Sequence, residues 1–237
     1  MLNSFFLFLL ALATIFWVHF CAAISYPFFI FKLPIAIKFQ EAMGKGSLWL
    51  FDVKLTLKGL ENVPPDGTGL VVIANHQSTF DIFVLSSLPL SLRWIAKIQI
   101  AYLPFLGWSM KAMGNYFVKR DRSAHDIHVM KQAEGDLLEK GVRIAIFPEG
   151  TRSKTEALLP FKKGAFRMAQ NAGVSILPVA ITGTRDIAPS GKIPKKRGFH
   201  VTAHFGKPIP APQGPLEPFM QTCRLELEKM LAEDQQA

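Results

Sequence analysis

A histidine and an aspartate five positions apart, His76 and Asp81, form the most chemically suggestive pair in the chain. They lie in the stretch "NHQSTFD", which directly follows the apolar run "GLVVIA". If His76 lies in a turn between a strand and a helix, its ring can fold back toward Asp81. A carboxylate that accepts from one ring nitrogen leaves the other nitrogen free to act as a base. The pair therefore predicts abstraction of a proton from a substrate.

The same stretch also has a purely structural interpretation. Ser78-x-x-Asp81 resembles a capping box, and an acid in the first turn of a helix is favoured by the helix dipole. An isolated H-x4-D pattern is more often structural than catalytic. The two interpretations are compatible, because one carboxylate can cap a helix and orient an imidazole together.

A second cluster, "FPEGTRS", covers residues 147–153 and also follows an apolar run. A glycine beside an acid and an arginine suits a loop that approaches an anion closely. Arg152 can form a two-pronged contact with a phosphate. Glu149 is unusual beside such a site unless it positions a hydroxyl group or pairs with a basic residue.

Further basic residues follow two other strand-like stretches. The stretch "NYFVKRDR" contributes Lys119, Arg120 and Arg122, and "LRWIAK" ends at Lys97. Alone, each is typical of a solvated charge run.

Strand-like and helix-like stretches alternate along the chain, which predicts an α/β sheet with helices packed against it. A helix capped by Ser123 is expected to run to Lys140 and stop at Gly141, with Ile127, Met130, Leu137 and Leu138 on its apolar face. Ligands of such sheets bind beyond the carboxyl ends of the strands, where both polar clusters are predicted to lie. Residues 189–218 hold seven of the sixteen prolines and are expected to be mostly loop, before a closing helix.

The N-terminal stretch Leu2–Phe31 contains no Asp, Glu, Lys or Arg. A helix from Asn3 to Tyr26 would be about 36 Å long, which exceeds the roughly 30 Å hydrocarbon core of a bilayer. Because the first basic side chain is Lys32, a retained membrane segment is favoured over a cleaved signal peptide. Pro27 and Pro34 are expected to break the helix, which leaves a spanning, hairpin or interfacial segment open.

The formal net charge of +9 indicates anionic partners. Lipid headgroups, phosphorylated substrates and an acidic carrier protein all fit. Nucleic acid does not, because no recognition motif is present and the chain is tied to a membrane. Lys32, Lys38 and Lys45 after the apolar run favour a cytoplasmic location for the rest of the chain. Cys21 and Cys223 match no metal or redox spacing, and no metal site is predicted.

Taken together, the clusters resemble the glycerolphosphate and lysophospholipid acyltransferases, most closely the bacterial enzymes that acylate 1-acyl-sn-glycerol 3-phosphate. The resemblance spans residues 59–208 and is carried by four blocks that occur in order. The first and third blocks are specific in combination, and the other two are degenerate. The blocks are Asn75-His76-x4-Asp81, Phe117-Val118-Lys119-Arg120, Phe147-Pro148-Glu149-Gly150-Thr151-Arg152-Ser153 and Leu177-Pro178-Val179.

The resemblance implies a glycerolphosphate acyltransferase-like fold, with a mixed β-sheet flanked by helices and preceded by an N-terminal helical membrane segment. Residues 1–46 would form the membrane anchor and residues 47–237 the acyltransferase domain. The expected location is the bacterial inner membrane, with the catalytic domain on its cytoplasmic side.

The resemblance also implies a direct acyl transfer from an acyl-CoA or acyl carrier protein thioester to the sn-2 hydroxyl of a lysophospholipid, giving phosphatidic acid. His76 would be the general base and Asp81 its orienting partner, with no covalent intermediate and no cofactor besides the thioester co-substrate. The acceptor-binding residues would be Arg120, Glu149, Gly150, Thr151, Arg152 and Lys97.

Two alternatives remain open at this point. A related acyltransferase could use another acceptor, such as glycerol 3-phosphate or a lyso-ornithine lipid. A non-enzymatic membrane-surface protein would explain the charge and the apolar N-terminus but not the co-occurring blocks. A serine hydrolase is disfavoured because the sequence contains no G-x-S-x-G elbow.

Overall fold

A seven-stranded mixed sheet forms the centre of the molecule in a computed structural model that describes residues 4–31, 36–121, 123–189, 194 and 196–235. The order across the sheet is β1-β7-β6-β2-β5-β3-β4. The strands are β1 Val53–Lys58, β2 Leu70–Ala74, β3 Leu92–Lys97, β4 Tyr116–Val118, β5 Arg143–Ile146, β6 Ser175–Thr182 and β7 Phe199–Phe205.

Five neighbouring strands, from β6 to β4, are mutually parallel. Strand β7 pairs antiparallel with β6 and parallel with β1, so this edge of the sheet runs in the opposite direction. Every residue of β2 is buried, as expected for a central parallel strand covered on both faces. The predicted mixed α/β sheet is confirmed.

Helices cover both faces of this sheet. One face packs against α2 and α3, and the other against α5, α6 and α8. Strand β2 divides its side chains between these two cores, with Leu70 and Val72 on the first face and Val71 and Ile73 on the second. The helices are α1 Ser4–Ile30, α2 Ala36–Leu50, α3 Phe80–Ser86, α4 Leu106–Ala112, α5 Ala124–Lys140, α6 Gly164–Ala172, α7 Thr184–Ile187 and α8 Leu216–Gln235.

The structure corrects two expectations. Helix α1 continues through Pro27 to Ile30, because a proline in the last turn removes only one intrahelical hydrogen bond; Pro34 lies outside the described residues. On α5, Leu137 is buried and Met130 packs on the core as predicted, but Ile127 and Leu138 are exposed and the buried face is completed by Val129 and Ala133. Residues 189–218 are mostly loop as expected, and strand β7 lies among them.

The N-terminal helices are docked on the domain. Helix α1 is long and apolar enough to cross a membrane between Ser4 and Phe28, yet it packs along α2 and α4. Helix α2 continues beyond the predicted boundary at residue 46 and packs against α3 through Gly44. A β-carbon at Gly44 would lie 2.4 Å from the backbone nitrogen of Ser87. The helix that begins at the "NHQSTFD" turn is therefore in backbone contact with the N-terminal segment.

We expect Gly44→Ala to destabilise the protein, because the added methyl group meets backbone atoms that cannot rotate away. Overpacking of this kind costs about 1–3 kcal/mol. The matched control is Gly135→Ala on α5, where a β-carbon would meet nothing within 4 Å. That control should be neutral or stabilising by up to about 1 kcal/mol, since alanine favours helix. Thermal unfolding in detergent would measure both variants, and equal midpoints would contradict the tight α2–α3 contact.

Candidate active site

His76 and Asp81 meet at the carboxyl end of β2. The Nδ1 atom of His76 lies 2.8 Å from Oδ2 of Asp81. Because an ionised carboxylate can only accept, Nδ1 carries the proton and the lone pair of the neutral ring is on Nε2. Within the described part of the chain, no group hydrogen-bonds Nε2. The side chain of His76 is 14% exposed, so the ring is held by the protein but remains accessible.

Asp81 is fully buried and fixed by three further donors. Its Oδ2 accepts hydrogen bonds from the backbone N–H groups of Gln77 at 2.7 Å and Ser78 at 2.8 Å. Its Oδ1 accepts a short hydrogen bond from the hydroxyl of Thr184, at the start of α7. The predicted capping box is only half formed, because Oγ of Ser78 accepts from the N–H of Phe80 at 3.2 Å and not from that of Asp81, whose N–H donates to the backbone carbonyl of Ser78. The Asp81 carboxylate nevertheless accepts from the backbone before α3 and from the ring of His76 together.

The imidazole ring is also held from its face. Phe147, the first residue of the "FPEGTRS" block, stacks on His76 with ring centroids 3.9 Å apart and an interplanar angle of 10°. Asn75 forms two hydrogen bonds with the backbone of Ile181, donating to its carbonyl at 2.8 Å and accepting from its N–H at 2.7 Å. The first residue of the first block therefore fixes the end of β2 and is fully buried.

Glu149 joins the two polar clusters. One carboxylate oxygen accepts from the N–H of His76 at 2.8 Å, and the other accepts from the N–H of Leu159 at 2.8 Å. Ser153 adds a second link by donating its N–H to the carbonyl of His76 at 2.7 Å. The side chain of Glu149 is 2% exposed, and each of its oxygens already accepts a hydrogen bond from the backbone.

Burial raises the pKa of Glu149 above its ordinary value, because desolvation disfavours the charged form and outweighs the two backbone N–H donors. A raised folded-state pKa means that the stability contributed by this group is fully present below its unfolded pKa. That contribution is lost as the pH rises through the folded pKa.

Three cationic side chains surround the loop of the third block. The guanidinium of Arg120 donates to the carbonyl of Gly150 at 2.6 Å, and Arg152 donates to the hydroxyl of Thr79 at 2.9 Å. Arg120 has a φ of 71°, a strained value for a residue other than glycine. The backbone N–H of Arg120 is fixed there by Asp126 at 2.7 Å.

Lys162 is the third cation, and sequence analysis missed it. A β-carbon on Gly150 would lie 2.6 Å from its Nζ, and Gly150 itself adopts a left-handed φ of 70°. The lysine therefore lies directly over this glycine. No described group pairs with its ammonium, whereas the neighbouring Lys163 pairs with Glu217. Nothing in the sequence distinguishes the two lysines. Which of them reaches Gly150 depends on how the chain turns back after Ser153.

Two remaining candidates are less engaged. Lys97 is exposed at the end of β3, and Thr151 is exposed in the third-block loop. Neither side chain hydrogen-bonds any described group. Arg122 lies outside the described residues, and the fourth block lies inside β6 away from solvent. Among the described residues, no cluster of three His, Cys, Asp or Glu side chains is placed to hold a metal ion.

Comparison with known proteins gives consistent results. The family model described as "Acyltransferase" matches residues 54–182. A chloroplastic 1-acyl-sn-glycerol-3-phosphate acyltransferase of Arabidopsis thaliana is 37% identical over 189 residues, which cover 78% of this chain and 53% of the relative. The Saccharomyces cerevisiae 1-acyl-sn-glycerol-3-phosphate acyltransferase is 42% identical over 117 residues, covering 48% of this chain and 39% of that protein. The chain thus spans about half the length, or less, of these curated relatives.

One solved structure is similar over nearly the whole chain. It is the 1-acyl-sn-glycerophosphate (LPA) acyltransferase PlsC from Thermotoga maritima, with a TM-score of 0.83 and 26% identity. The similarity covers 98% of this chain and 97% of the solved one, so it includes the N-terminal helices as well as the sheet.

We expect Glu149→Ala to lower the free energy of unfolding, because the N–H groups of His76 and Leu159 both lose their acceptor. Each unsatisfied donor costs about 1–3 kcal/mol, partly offset by removal of a desolvated charge. The loss should be largest in acid and shrink as the pH rises through the raised pKa of Glu149. Denaturant unfolding at several pH values would measure it.

The matched control for this prediction is Glu156→Ala. Glu156 is 73% exposed and lies 3.6 Å from Arg185, so its removal should change stability by no more than about 0.5 kcal/mol. Equal stability of the two variants would mean that Glu149 does not join the loops.

Proposed function

Because the chain belongs to the acyltransferase family, we propose that it transfers a fatty acyl group from a thioester to the free sn-2 hydroxyl of 1-acyl-glycerol 3-phosphate, giving phosphatidic acid. The observation that carries this proposal is the pairing of an oriented base with a cationic loop. Glu149 and Ser153 tie the backbone of His76 to the third-block loop. The cationic side chains of Arg120, Arg152 and Lys162 surround that loop. An acceptor with a hydroxyl and a phosphate would contact His76 through the hydroxyl and the cationic loop through the phosphate.

The proposed chemical step is direct attack. Nε2 of His76 takes the proton of the acceptor hydroxyl while the oxygen attacks the thioester carbonyl. The tetrahedral intermediate collapses to the new ester and a thiolate, which recovers the proton from the imidazolium. Asp81 stabilises that imidazolium and holds the ring in the tautomer that presents Nε2. No covalent acyl-enzyme is involved, since Cys21 and Cys223 are buried and lie outside the four blocks.

The phosphate would bind at the turn around Gly150. Arg120 and Lys162 both approach this glycine, and Arg152 lies beside the α3 start. Within the described part of the chain, the backbone N–H groups of Thr151 and Arg152 have no acceptor, and successive free N–H groups after a left-handed glycine suit an anion. Glu149 contributes by positioning this turn, and Lys97 is proposed only as a peripheral cation.

The acyl donor is proposed to be acyl-CoA or an acyl carrier protein, with no further cofactor. The membrane supplies the acceptor, and α1 with α2 would anchor the domain at its surface. Phe5, Phe16 and Trp49 of these helices are 65%, 70% and 74% exposed, so an apolar surface is available. Lys38 and Lys45 each pair with Glu41, which reduces their attraction to anionic headgroups; Lys32 and Lys192 lie outside the described residues.

The proposed location is the inner membrane of a bacterium, with the catalytic domain on the cytoplasmic side. It rests on the basic residues after the apolar segment and on the full-length similarity to the Thermotoga maritima protein.

An acceptor panel tests the proposed function directly. Purified protein would be given one acyl-CoA, or the matching acyl carrier protein thioester, with lysophosphatidic acid, glycerol 3-phosphate or a lyso-ornithine lipid. Mass spectrometry of the products identifies the acceptor. Phosphatidic acid as the main product supports the proposal, and preferential acylation of either other acceptor replaces it with a related acyl transfer.

His76→Ala should leave the protein folded and bound to membranes but lower kcat by roughly 10²–10⁴-fold, the usual loss for a general base. His128→Ala is the matched control, because His128 is exposed on α5 and lies outside the four blocks. Steady-state rates with lysophosphatidic acid would measure the difference. Near-normal turnover of the His76 variant would rule out the mechanism.

Lys162→Ala should raise the KM for the phosphorylated acceptor while leaving the KM for the thioester donor unchanged. Loss of one charge-assisted contact of about 1.5–3 kcal/mol corresponds to a rise of roughly ten- to a hundredfold. The adjacent Lys163→Ala is an unusually close control, because its ammonium pairs with Glu217 on α8. Equal acceptor KM values in the two variants would remove Lys162 from the phosphate site.

A further inference from the structure

The connection between β3 and β4 exposes a compact apolar surface that acyl transfer does not explain. Its four large side chains are 74%, 42%, 46% and 45% exposed, in chain order. Other apolar residues of the same connection, including Ile98, Ile100 and Met110, instead pack against Phe117 and form a small core. The exposed set is called the aromatic patch, and it consists of Tyr102, Leu103, Phe105 and Trp108.

The backbone under the aromatic patch is tightly folded. The N–H of Gly107 donates to the carbonyl of Leu103 at 2.8 Å, and the N–H of Ser109 donates to that of Phe105 at 2.8 Å. A β-carbon on Gly107 would lie 2.4 Å from the carbonyl oxygen of Ala101. Phe105 has a φ of 57°, which is unfavourable for an aromatic residue. The fold therefore holds large apolar side chains outward at the expense of local backbone strain.

This surface is continuous with α1. The hydroxyl of Ser109 donates to the carbonyl of Ala22 at 2.9 Å and lies 2.6 Å from the hydroxyl of Ser25. The rings of Tyr26 and Trp108 have centroids 6.1 Å apart. Helix α1 itself exposes Phe16, Phe20, Ile24 and Ile30. Two hydrogen bonds of Ser109 and a ring contact thus join α4, which carries Trp108 of the aromatic patch, to a helix with exposed apolar side chains.

Charge and residue type indicate which partner covers the aromatic patch. Lys97 and Lys111 are exposed in the segments that flank it, and Lys111 belongs to α4 itself. Aromatic side chains with neighbouring lysines are typical of the boundary between headgroups and acyl chains, where each lysine also attracts anionic lipid. A protein partner would not require the continuity with a helix apolar enough to enter a membrane.

We propose that the aromatic patch inserts into the headgroup boundary of an anionic bilayer and forms a second membrane attachment beside α1. Since β3 and β2 are both parallel to β5, the connection after β3 leaves the sheet at the same edge as His76. Two attachments would fix the orientation of the domain, with this edge facing the lipid. That consequence for acceptor delivery rests on the proposed function, but insertion of the patch does not.

A depth measurement tests the insertion. The native cysteines are 4% and 0% exposed, so a thiol-reactive NBD label will react with an introduced cysteine at the surface. Phe105→Cys places the label in the patch, and Leu138→Cys places it on α5, where the native residue is 70% exposed. Both variants keep α1 and bind vesicles of phosphatidylcholine and phosphatidylglycerol. Only the label at position 105 should shift to the blue and be quenched by lipids with doxyl groups in the upper acyl chain.

Two results would overturn the proposal. One is vesicle-bound protein in which the label at position 105 stays as solvent-exposed as the label at position 138, or in which both are quenched alike. The other is a blue shift at position 105 that depends on protein concentration without lipid, which would identify a second copy of the chain as the partner.

A partition measurement gives independent support. Tyr102→Ser with Leu103→Ser should weaken vesicle binding by roughly tenfold, because apolar area that enters the lipid is removed. The matched control, Leu138→Ser with Leu225→Ser, removes similarly exposed leucines from α5 and α8 and should bind like the unmodified protein. Equal binding of both double variants would contradict insertion. Acyl transfer to a short-chain soluble acceptor, assayed alongside, reports on the proposed function separately.

Discussion

The buried carboxylate of Asp81 is the constraint on which the site depends. It accepts four hydrogen bonds, from the ring of His76, two backbone N–H groups of the same turn and the hydroxyl of Thr184. A carboxylate in such a place is tolerated because each desolvated oxygen meets donors. The arrangement joins the end of β2 to the turn after β6. The orientation of one imidazole is therefore determined by two segments that lie about a hundred residues apart in the chain.

Glu149 is a second buried carboxylate that holds backbone segments together, in this case the loop that follows β5. It connects the backbone of His76 to the chain near Leu159, so the loop with Gly150 is tied to the turn that holds His76. Its raised pKa reflects how much desolvation this position imposes. This acid, which lies beside several cationic side chains, acts inward on the protein backbone. The cations act outward, since Arg120, Arg152 and Lys162 lie on the side of the loop that solvent reaches.

Local composition predicted the central elements well. The β-branched run of β2 and the alternating run of β3 appear with the predicted bounds, because strands buried in a sheet require such residues. The prolines around β7 marked the connecting loops correctly, and the strand between them alternates in burial. The face of α5 was predicted only in part. Leu137 meets the core as predicted, but Ile127 and Leu138 are exposed while Val129 and Ala133 are buried, and only tertiary contact decides between such apolar positions.

The part of the candidate site that lies within the four sequence blocks could be predicted from the sequence. The pair His76 and Asp81 is local, so a turn between a strand and a helix was enough to bring them together. Lys162 and Thr184 act across long stretches of chain, and no motif marks either of them. Their positions follow from the order of strands in the sheet, in which β5 and β6 flank β2 on its two sides. Because these three strands are parallel, the loops that follow them meet at one edge of the sheet. Lys162 and Thr184 belong to the loops after β5 and β6 and reach the site for that reason.

The same arrangement explains why the N-terminal helices belong to this fold and are not merely attached to it. Helix α2 touches the backbone of α3 through Gly44, and α3 begins at the turn that holds His76. The C-terminal half of α1 is hydrogen-bonded to α4, which follows β3 at the sheet edge that carries His76. Under the proposed function, a lipid acceptor would present its phosphate and hydroxyl at a defined depth in the bilayer. A base fixed to the sheet would then reach that hydroxyl repeatedly only if the sheet is itself fixed relative to the surface, and short backbone contacts provide that rigidity better than a flexible linker.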